Sequence, residues 1–464
     1  MKELLTLSLT GIIIMIADMI NLRKFSFPIA LLGLATTISW CVLNWNHTEY
    51  LVMDGHIDKM IVFDSFANRF TLIMSIIGVL WLMLSENYFE KLPNSTDRYA
   101  LVMFVLAGAA TMVSYSNLTV LFIGIEILSI ALYALAGSNK SDLSSSESAF
   151  KYFLMGAFAS GFLLMGIALI YGGTGSFDLE EIRRAVNPAS ITNMGLIKLG
   201  VLMLLIGLGF KASAAPFHFW APDVYQGAPT PITALMATIV KTAAFAAFYR
   251  LFSVCFVPVH EVWMDVIAAL IVVSLVIGNI TAVMQHDAKR MLAYSSISHA
   301  GYMLFTLLCM GADSKASLLF YAGIYSLATI VAFTVLFVVQ ETHQTTSISA
   351  FNGLGKTHPA LAICMTFSLL SMGGIPPLAG FMAKYYIFSS AIQQGYIGLT
   401  LLGIAMSLVG IYYYFKIIIA MYYHTGDADD VKITVSPLQN IVLALGCIAL
   451  LILGILPQFL HGLI

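Results

Sequence analysis

Runs of about twenty apolar residues recur from one end of the chain to the other, with little between them. A helix needs about 20 such residues to cross the hydrocarbon core of a bilayer. On that scale fourteen segments qualify: 4–22, 27–45, 66–86, 98–115, 118–137, 149–171, 196–220, 231–252, 264–285, 291–311, 316–340, 360–390, 394–423 and 438–460. In lipid every backbone N–H and C=O must be paired internally, which leaves helices or closed barrels. Unbroken apolar runs of this length select helices. The expected fold class is therefore an all-α polytopic membrane protein with about 14 transmembrane helices. Hydrophobic residues make up 59% and charged residues 10%, against roughly 25% charged in soluble domains.

The longest connections, 46–65, 172–197 and 341–359, are too short for folded domains. Residues 1–464 read as a single transmembrane domain. It divides into N-terminal helices over 1–97, two groups over 98–252 and 264–423, and a last helix over 438–460. The net charge of −2 gives no footing for nucleic acid, and lipid is the expected surround. The five cysteines are scattered without ligand spacing, so neither a metal site nor a disulfide framework is expected. Lys2 is followed by an apolar run that Asp18 interrupts, with no small-residue cleavage site; this reads as a retained span. An even number of spans puts both termini on one side. The short connections carrying Arg23, Lys24, Lys91, Arg98, Lys140, Lys289, Arg290, Lys356 and Lys432 favour that set as cytoplasmic, placing both termini outside.

Residues 205–231, LIGLGFKASAAPFHFWAPDVYQGAPTP, hold the most informative interruption. Lys211 sits inside an apolar helix, and Pro216 follows five residues later. Proline removes a backbone donor and clashes with the carbonyl four residues back, here Ala212, so the helix should kink or break just past the lysine. A second apolar segment carries Gly373-Gly-Ile-Pro376-Pro377-Leu-Ala-Gly-Phe. The two breaks fall in the seventh and twelfth spans, five helices apart. If helices 4–8 repeat as 9–13, the unit has an odd number of spans, and consecutive copies are inverted. Inverted repeats with matching broken helices are the layout of ion-coupled transporters.

Several ionisable groups fall within spans: Asp18, Glu126, Lys211, Lys241, Lys384, Lys416 and His299, with Lys151 near a span end. Burial disfavours the charged form of such groups and a nearby opposite charge restores it. They change protonation when a partner moves, which is what a proton relay needs. Glu126, half-way along the fifth span, calls for a lysine partner, and Lys211 is the first choice; the competing reading is a static ion pair. Lys241 lies mid-span among small residues, against the alternative of a snorkelling lysine. Lys384 lies two turns past Pro377, or else is a helix-end lysine. Lys151 reads equally as an interfacial residue, and His299 as a satisfied core histidine. Asp18 and Lys416 read as surface or partner-facing charges, and Arg69 and Arg250 as interfacial. Gly207-Leu-Gly209 mimics a dinucleotide fingerprint, but no strand precedes it. Asn94-Ser-Thr96 and Asn117-Leu-Thr119 match a weak glycosylation triplet.

Taken together, Lys211 with Pro216-Phe-His-Phe-Trp-Ala-Pro-Asp-Val-Tyr-Gln-Gly-Ala-Pro-Thr-Pro231 and Lys241 resembles the antiporter-like membrane subunits of respiratory complex I, most closely the N-type of NADH–quinone oxidoreductase. Glu126 in LFIGIEILS, His299 in DAKRMLAYSSISHAGY and Lys384 in GIPPLAGFMAK match the same family, over about residues 60–425. The resemblance implies fourteen helices, two inverted five-helix repeats and broken helices seven and twelve. It implies Glu126 and Lys211 as a charged pair, Lys241 as the bridging lysine, His299 along the axis and Lys384 as the terminal group. Lysine at 384 argues against the M-type, where glutamate is expected. The resemblance further implies no redox centre in this chain. The complex would use FMN, iron–sulfur clusters, NADH and a quinone. M- and L-type antiporter-like subunits and small J- and K-type subunits would be partners in a bacterial inner membrane. A cation/proton antiporter subunit or a membrane-bound hydrogenase is the alternative.

Overall fold

The computed structural model describes residues 1–52, 59–90, 95–186, 194–311, 313–425 and 433–462. Lys91, Asn94 and Lys432 lie outside the described residues. The first helices are α1 (Lys2–Met19) and α2 (Ser26–Leu43). A two-stranded antiparallel ribbon follows, β1 (Glu49–Val52) on β2 (Lys59–Phe63). Next come α3 (Ser65–Glu90), α4 (Ser95–Ser114), α5 (Leu118–Ala136), α6 (Leu143–Thr174), the short α7 (Leu179–Ala185) and α8 (Met194–Lys211). Beyond the first break lie α9 (Trp220–Gly227), α10 (Thr230–Leu235) and α11 (Lys241–Val254), the last two joined by a π-helical turn over Met236–Val240. The second half holds α12 (His260–Val283), α13 (Ala288–Leu308), α14 (Ser314–His343) and the one-turn α15 (Leu354–Thr357). It ends with α16 (Pro359–Gly373), α17 (Ala379–Gln393), α18 (Ile397–Tyr423), α19 (Pro437–Ile455) and α20 (Gln458–His461).

Among the described residues, eleven helical segments are long and apolar enough to cross a membrane. Three expected spans fall short of that measure for physical reasons. Lys2, Glu3 and Asp18 load α1 with charge, the run SSISH makes α13 polar, and the twelfth segment is divided into α16 and α17. The segments Thr230–Val254 and Ser314–His343 are enclosed on every side and form the centre of the bundle.

Glycine sets the closest helix crossings. A Cβ on Gly108 would stand 2.6 Å from the backbone N of Leu128, so α4 and α5 touch backbone to backbone. A Cβ on Gly278 would stand 2.6 Å from the N of Ser298, bringing α12 and α13 together at the same sequence spacing. Small residues permit this approach where lipid offers no hydrophobic drive between helices. The two pairs share further detail. Asn117 caps α5 and bridges to Asp178; Asp287 caps α13 and bridges to Ser347.

Several sequence expectations are corrected. The connection 46–65 contains the β-ribbon, which packs on the α4–α5 junction through Ser116 N–H to Met60 O (3.2 Å). Arg69 and Arg250, expected at the interface, are packed inside the protein, at 9% and 8% exposure. Arg250 pairs with Asp64 at 2.5 Å, and Arg69 lies 5.2 Å from the Trp45 ring centre. Asp18 pairs with Arg23 at 2.6 Å. Lys416 turns inward and donates to the carbonyls of Val283 and Gln285 at 2.8 and 2.9 Å. It caps the end of α12, where unpaired carbonyls and the helix dipole favour a cation.

Candidate functional site

The first break begins at Lys211. Helix α8 ends there, Ser213 takes a positive φ of 58°, and the chain turns through Ala215-Pro216, a cis peptide, before α9 starts at Trp220. The backbone groups that the turn releases find new partners. Ala215 N–H donates to Ser274 Oγ on α12 (2.9 Å), and Trp220 Nε1 donates to Phe210 O (3.1 Å). The second break joins α16 to α17 through Gly374, at φ 82°, and the cis Pro376-Pro377 bond. Its freed carbonyl, Gly373 O, accepts from Lys384 Nζ at 2.9 Å. Broken backbone at membrane depth is tolerated where protein supplies such contacts.

Lys211 is 5% exposed, and its Nζ donates to Ser129 Oγ at 2.7 Å. The direct contact with Glu126 expected from sequence is not formed. Glu126 instead accepts from Ser160 Oγ at 2.5 Å. Ser129 lies one helical turn along α5 from Glu126, on the same face. Lys241, 1% exposed, opens α11 directly after the π-helical turn. Its Nζ donates to both Ser296 O and Ser296 Oγ, each at 2.5 Å. Three residues on, His299 is buried between two phenols, with Nδ1 2.8 Å from Tyr321 Oη and Nε2 3.3 Å from Tyr414 Oη. Ser295 Oγ meets Tyr414 Oη at 2.5 Å. Lys384, 7% exposed, also donates to Ser407 Oγ (2.7 Å) and sits 4.9 Å from the Tyr302 ring centre. A void of about 10 Å³ is lined by His299, Tyr321, Tyr325 and Lys384. That is close to the smallest space that holds a water.

Lys241, His299 and Lys384 are thus brought together. Glu126 and Lys211 form a second centre across the first break. Lys151 belongs to neither. It is 40% exposed on α6 and pairs with Glu147 (2.8 Å) and Asp223 (3.0 Å). Asp223 also accepts from Arg290 at 2.9 Å, so one carboxylate ties α6, α9 and α13. These groups line an open cavity of about 230 Å³ with Ser144 and Gln226. Beneath it the Lys289 ammonium, 2% exposed, donates to the carbonyls of Gln226 (3.1 Å) and Ala228.

Partial burial works against the Asp223 carboxylate, but hydrogen bonds from Lys151 and Arg290 outweigh it and hold the group below the ordinary value of 3.8. Its contribution is therefore complete at neutral pH and is lost as pH falls through that lowered value. The pairs are partly exposed, so each is worth only about 0.2–1 kcal/mol. Asp223→Asn is expected to lower the unfolding midpoint at pH 7 slightly, and the difference from the native chain should persist at pH 5 and shrink only as pH falls below the ordinary value of 3.8. Thermal unfolding of the purified assembly across that range checks this; a difference that grows in acid contradicts it.

The sequence reading missed Ser129, Ser160, Ser296, Tyr321, Tyr414 and Ser407, the hydroxyl partners of the charged groups. Ser296 and Ser129 had a usable signal, since each lies three residues from a residue already singled out, His299 and Glu126. Tyr321, Tyr414 and Ser407 come from other helices and had none. Asp223 and Lys289 were passed over because they fall at segment ends. Among the described residues no three His, Cys, Asp or Glu side chains cluster as metal ligands.

This is the architecture of an antiporter-like membrane subunit: a helical bundle with two broken helices and a buried row of lysines and hydroxyls between them. Residues 115–410 match the family described as NADH:quinone oxidoreductase/Mrp antiporter, TM. The NADH-quinone oxidoreductase subunit N of Flavobacterium psychrophilum is 40% identical over 460 residues, covering 99% of each chain. Among solved structures, a chain of respiratory complex I from Thermus thermophilus with bound aureothin superposes with a TM-score of 0.82 at 32% identity, covering 99% of this chain and 98% of the other. A chain of the membrane-bound sulfane sulfur reductase, an archaeal respiratory membrane complex, gives 0.89 at 25%, covering 99% and 95%. The chain belongs to the NADH:quinone oxidoreductase/Mrp antiporter family, among the N-type antiporter-like subunits of complex I.

Proposed function

We propose that the chain is a proton-translocating membrane subunit of an NADH–quinone oxidoreductase, moving protons along its buried axis while quinone is reduced elsewhere in the complex. The observation that carries this reading is the run of proton-bearing groups from the half-buried Glu126 and the buried Lys211, through Lys241 and His299, to Lys384, in a chain of the N-type. FMN, iron–sulfur clusters, NADH and quinone belong, in this reading, to partner subunits. Those partners are M- and L-type and small J- and K-type subunits in a bacterial inner membrane, with both termini outside.

The finer architecture in this reading is fourteen spans, with helices 4–8 repeated inverted as 9–13 and broken at Pro216 and at Pro376–Pro377. The matching crossings at Gly108 and Gly278, and the matching bridges from Asn117 and Asp287, support it. The roles in this reading are the following. Lys211 keeps its proton while the Glu126 carboxylate faces it, and retraction of Glu126 releases that proton toward Lys241. Ser296 steadies Lys241, and His299, able to accept on one ring nitrogen while donating from the other, carries the proton to Lys384. Lys151, in its open cavity, serves as an entry group.

NADH-driven acidification of inverted membrane vesicles, followed together with NADH oxidation by quinone, tests the reading. Lys211→Ala is expected to lower both in an assembled complex. If NADH-driven pumping is untouched while sodium–proton exchange disappears, the chain works as a cation/proton antiporter subunit instead.

A further inference from the structure

A serine inside a helix commonly turns its hydroxyl back to a carbonyl three or four residues earlier, as Ser114, Ser129 and Ser298 do. Ser295 on α13 does not. Its hydroxyl leaves the helix and meets Tyr414 Oη of α18 at 2.5 Å. The same phenol oxygen stands 3.3 Å from Nε2 of His299, one turn further along α13. On the other side of the ring, His299 Nδ1 stands 2.8 Å from Tyr321 Oη of α14. Three helices thus supply one row of hydrogen bonds, Ser295, Tyr414, His299 and Tyr321, and all four side chains are buried.

Each bond in the row holds one proton, so the row can point in only two senses. A neutral imidazole donates from one nitrogen and accepts on the other. If Ser295 donates to Tyr414 and Tyr414 to Nε2, the ring proton sits on Nδ1 and points at Tyr321. In the opposite sense Tyr321 donates to Nδ1, and the ring proton points back at Tyr414. Only the first sense directs a proton toward the void that Tyr321 and Lys384 both line. The neighbouring phenol, Tyr413, stands outside the row. Its ring packs 4.5 Å from that of Tyr414, but its hydroxyl donates to Asn279 Oδ1 at 3.2 Å.

We propose that Tyr414 is the proton donor to His299, and that the last stretch of the relay runs from Ser295 through Tyr414, His299 and Tyr321 to Lys384. A proton arriving at Ser295 Oγ releases that hydroxyl's own proton to Tyr414. Tyr414 gives its own to Nε2 as Nδ1 gives its proton to Tyr321. Tyr321 passes its own across the void to neutral Lys384, by way of the single water that such a space admits. Every O–H or N–H bond broken is matched by one formed. One proton moves, the four groups end neutral, and no oxidant or reductant is needed. The row resets when the hydroxyls rotate and the imidazole turns over about its Cβ–Cγ bond. Tyr414 is the point of control, because its oxygen touches both Ser295 and the ring.

The proposal rests on the proton-translocating reading above, so Lys211→Ala is included to judge that reading by itself. It is compared with Tyr414→Phe, Ser295→Ala, the double variant of these two, and Tyr413→Phe. Each assembled complex is reconstituted into liposomes, and NADH-driven proton uptake is measured beside the NADH–quinone rate. Phenylalanine at 414 keeps the ring and removes only the hydroxyl. Tyr414→Phe and Ser295→Ala are each expected to lower proton uptake about tenfold or more, the scale of a lost proton-transfer group. The two act in series, so the double variant should lose no more than the worse single one, the non-additivity of residues in one network. Tyr413→Phe removes an equally buried hydroxyl from the next residue and should pump at the native rate. A structural role predicts instead that Tyr413→Phe and Tyr414→Phe lose alike and that the single losses multiply; either result overturns the proposal. Native pumping by Tyr414→Phe where Lys211→Ala fails overturns it too. If Lys211→Ala itself pumps at the native rate, the proton-translocating reading falls and takes the relay with it. Should Tyr414→Phe fail to assemble, Ser295→Ala decides: a tenfold loss supports the row, and native pumping removes it.

Discussion

Lys241→Met is expected to reduce NADH-driven proton translocation by about 10²-fold while leaving the subunit folded. Lys241 is the one lysine on α11, buried against Ser296 beside His299, and in the proposed function it receives the proton from the Lys211 side. Removing it therefore interrupts the axis. Its contacts are neutral, a serine hydroxyl and a serine carbonyl, and no carboxylate pairs with it among the described residues. Replacing a buried charge of that kind by an apolar side chain of similar volume is often neutral or stabilising. The variant should thus assemble at the native level and unfold no earlier. Proton uptake measured beside the thermal midpoint checks both halves. Native pumping by assembled Lys241→Met would remove the lysine from the axis.

Gly380→Ala is expected to prevent the second half from packing. Gly380 lies in the first turn of α17, and a Cβ there would fall on the backbone carbonyl of Ser371 in α16. That carbonyl belongs to a helix and cannot give way as a flexible side chain would. Overpacking of a rigid site costs typically about 1–3 kcal/mol, and occasionally more. Here the clash is with backbone at the break that places Lys384, so loss of assembly is expected. Gly161→Ala is the matched control, because nothing lies within 4 Å of its added Cβ. The amount of assembled complex in membranes reads both variants; equal amounts would show that α16 and α17 are free to separate.

The helices were legible because lipid forces a long apolar run to pair its own backbone, and the described helices lie where the runs are. Breaks could be read for a local reason too, since proline acts on the turn that contains it. The partners of the lysines obey no such rule. Ser407 and Tyr414 reach Lys384 and His299 only because α18 packs beside α13 and α17, and nothing in their own segment marks them. The same reason hid the burial of Arg250, whose partner Asp64 lies just before α3. Reading Lys416 as partner-facing went wrong because its surroundings in sequence are tyrosines, whereas its contacts in space are the last carbonyls of α12. The β-ribbon went unseen because it was judged by its length alone.

The paired crossings at Gly108–Leu128 and Gly278–Ser298 also allow the two halves to be compared group by group. Two residues before the crossing, α5 carries Glu126 and α13 carries Ser296; one residue after it, α5 carries Ser129 and α13 carries His299. The backbone is matched, but the chemistry hung on it is not. One half has an acid and a hydroxyl, the other a hydroxyl and an imidazole. A wire with the same beads at both ends has no preferred sense, and a push at either end would serve equally. In the proposed relay, unequal beads would give the wire a polarity, as unequal doping gives a junction its forward direction.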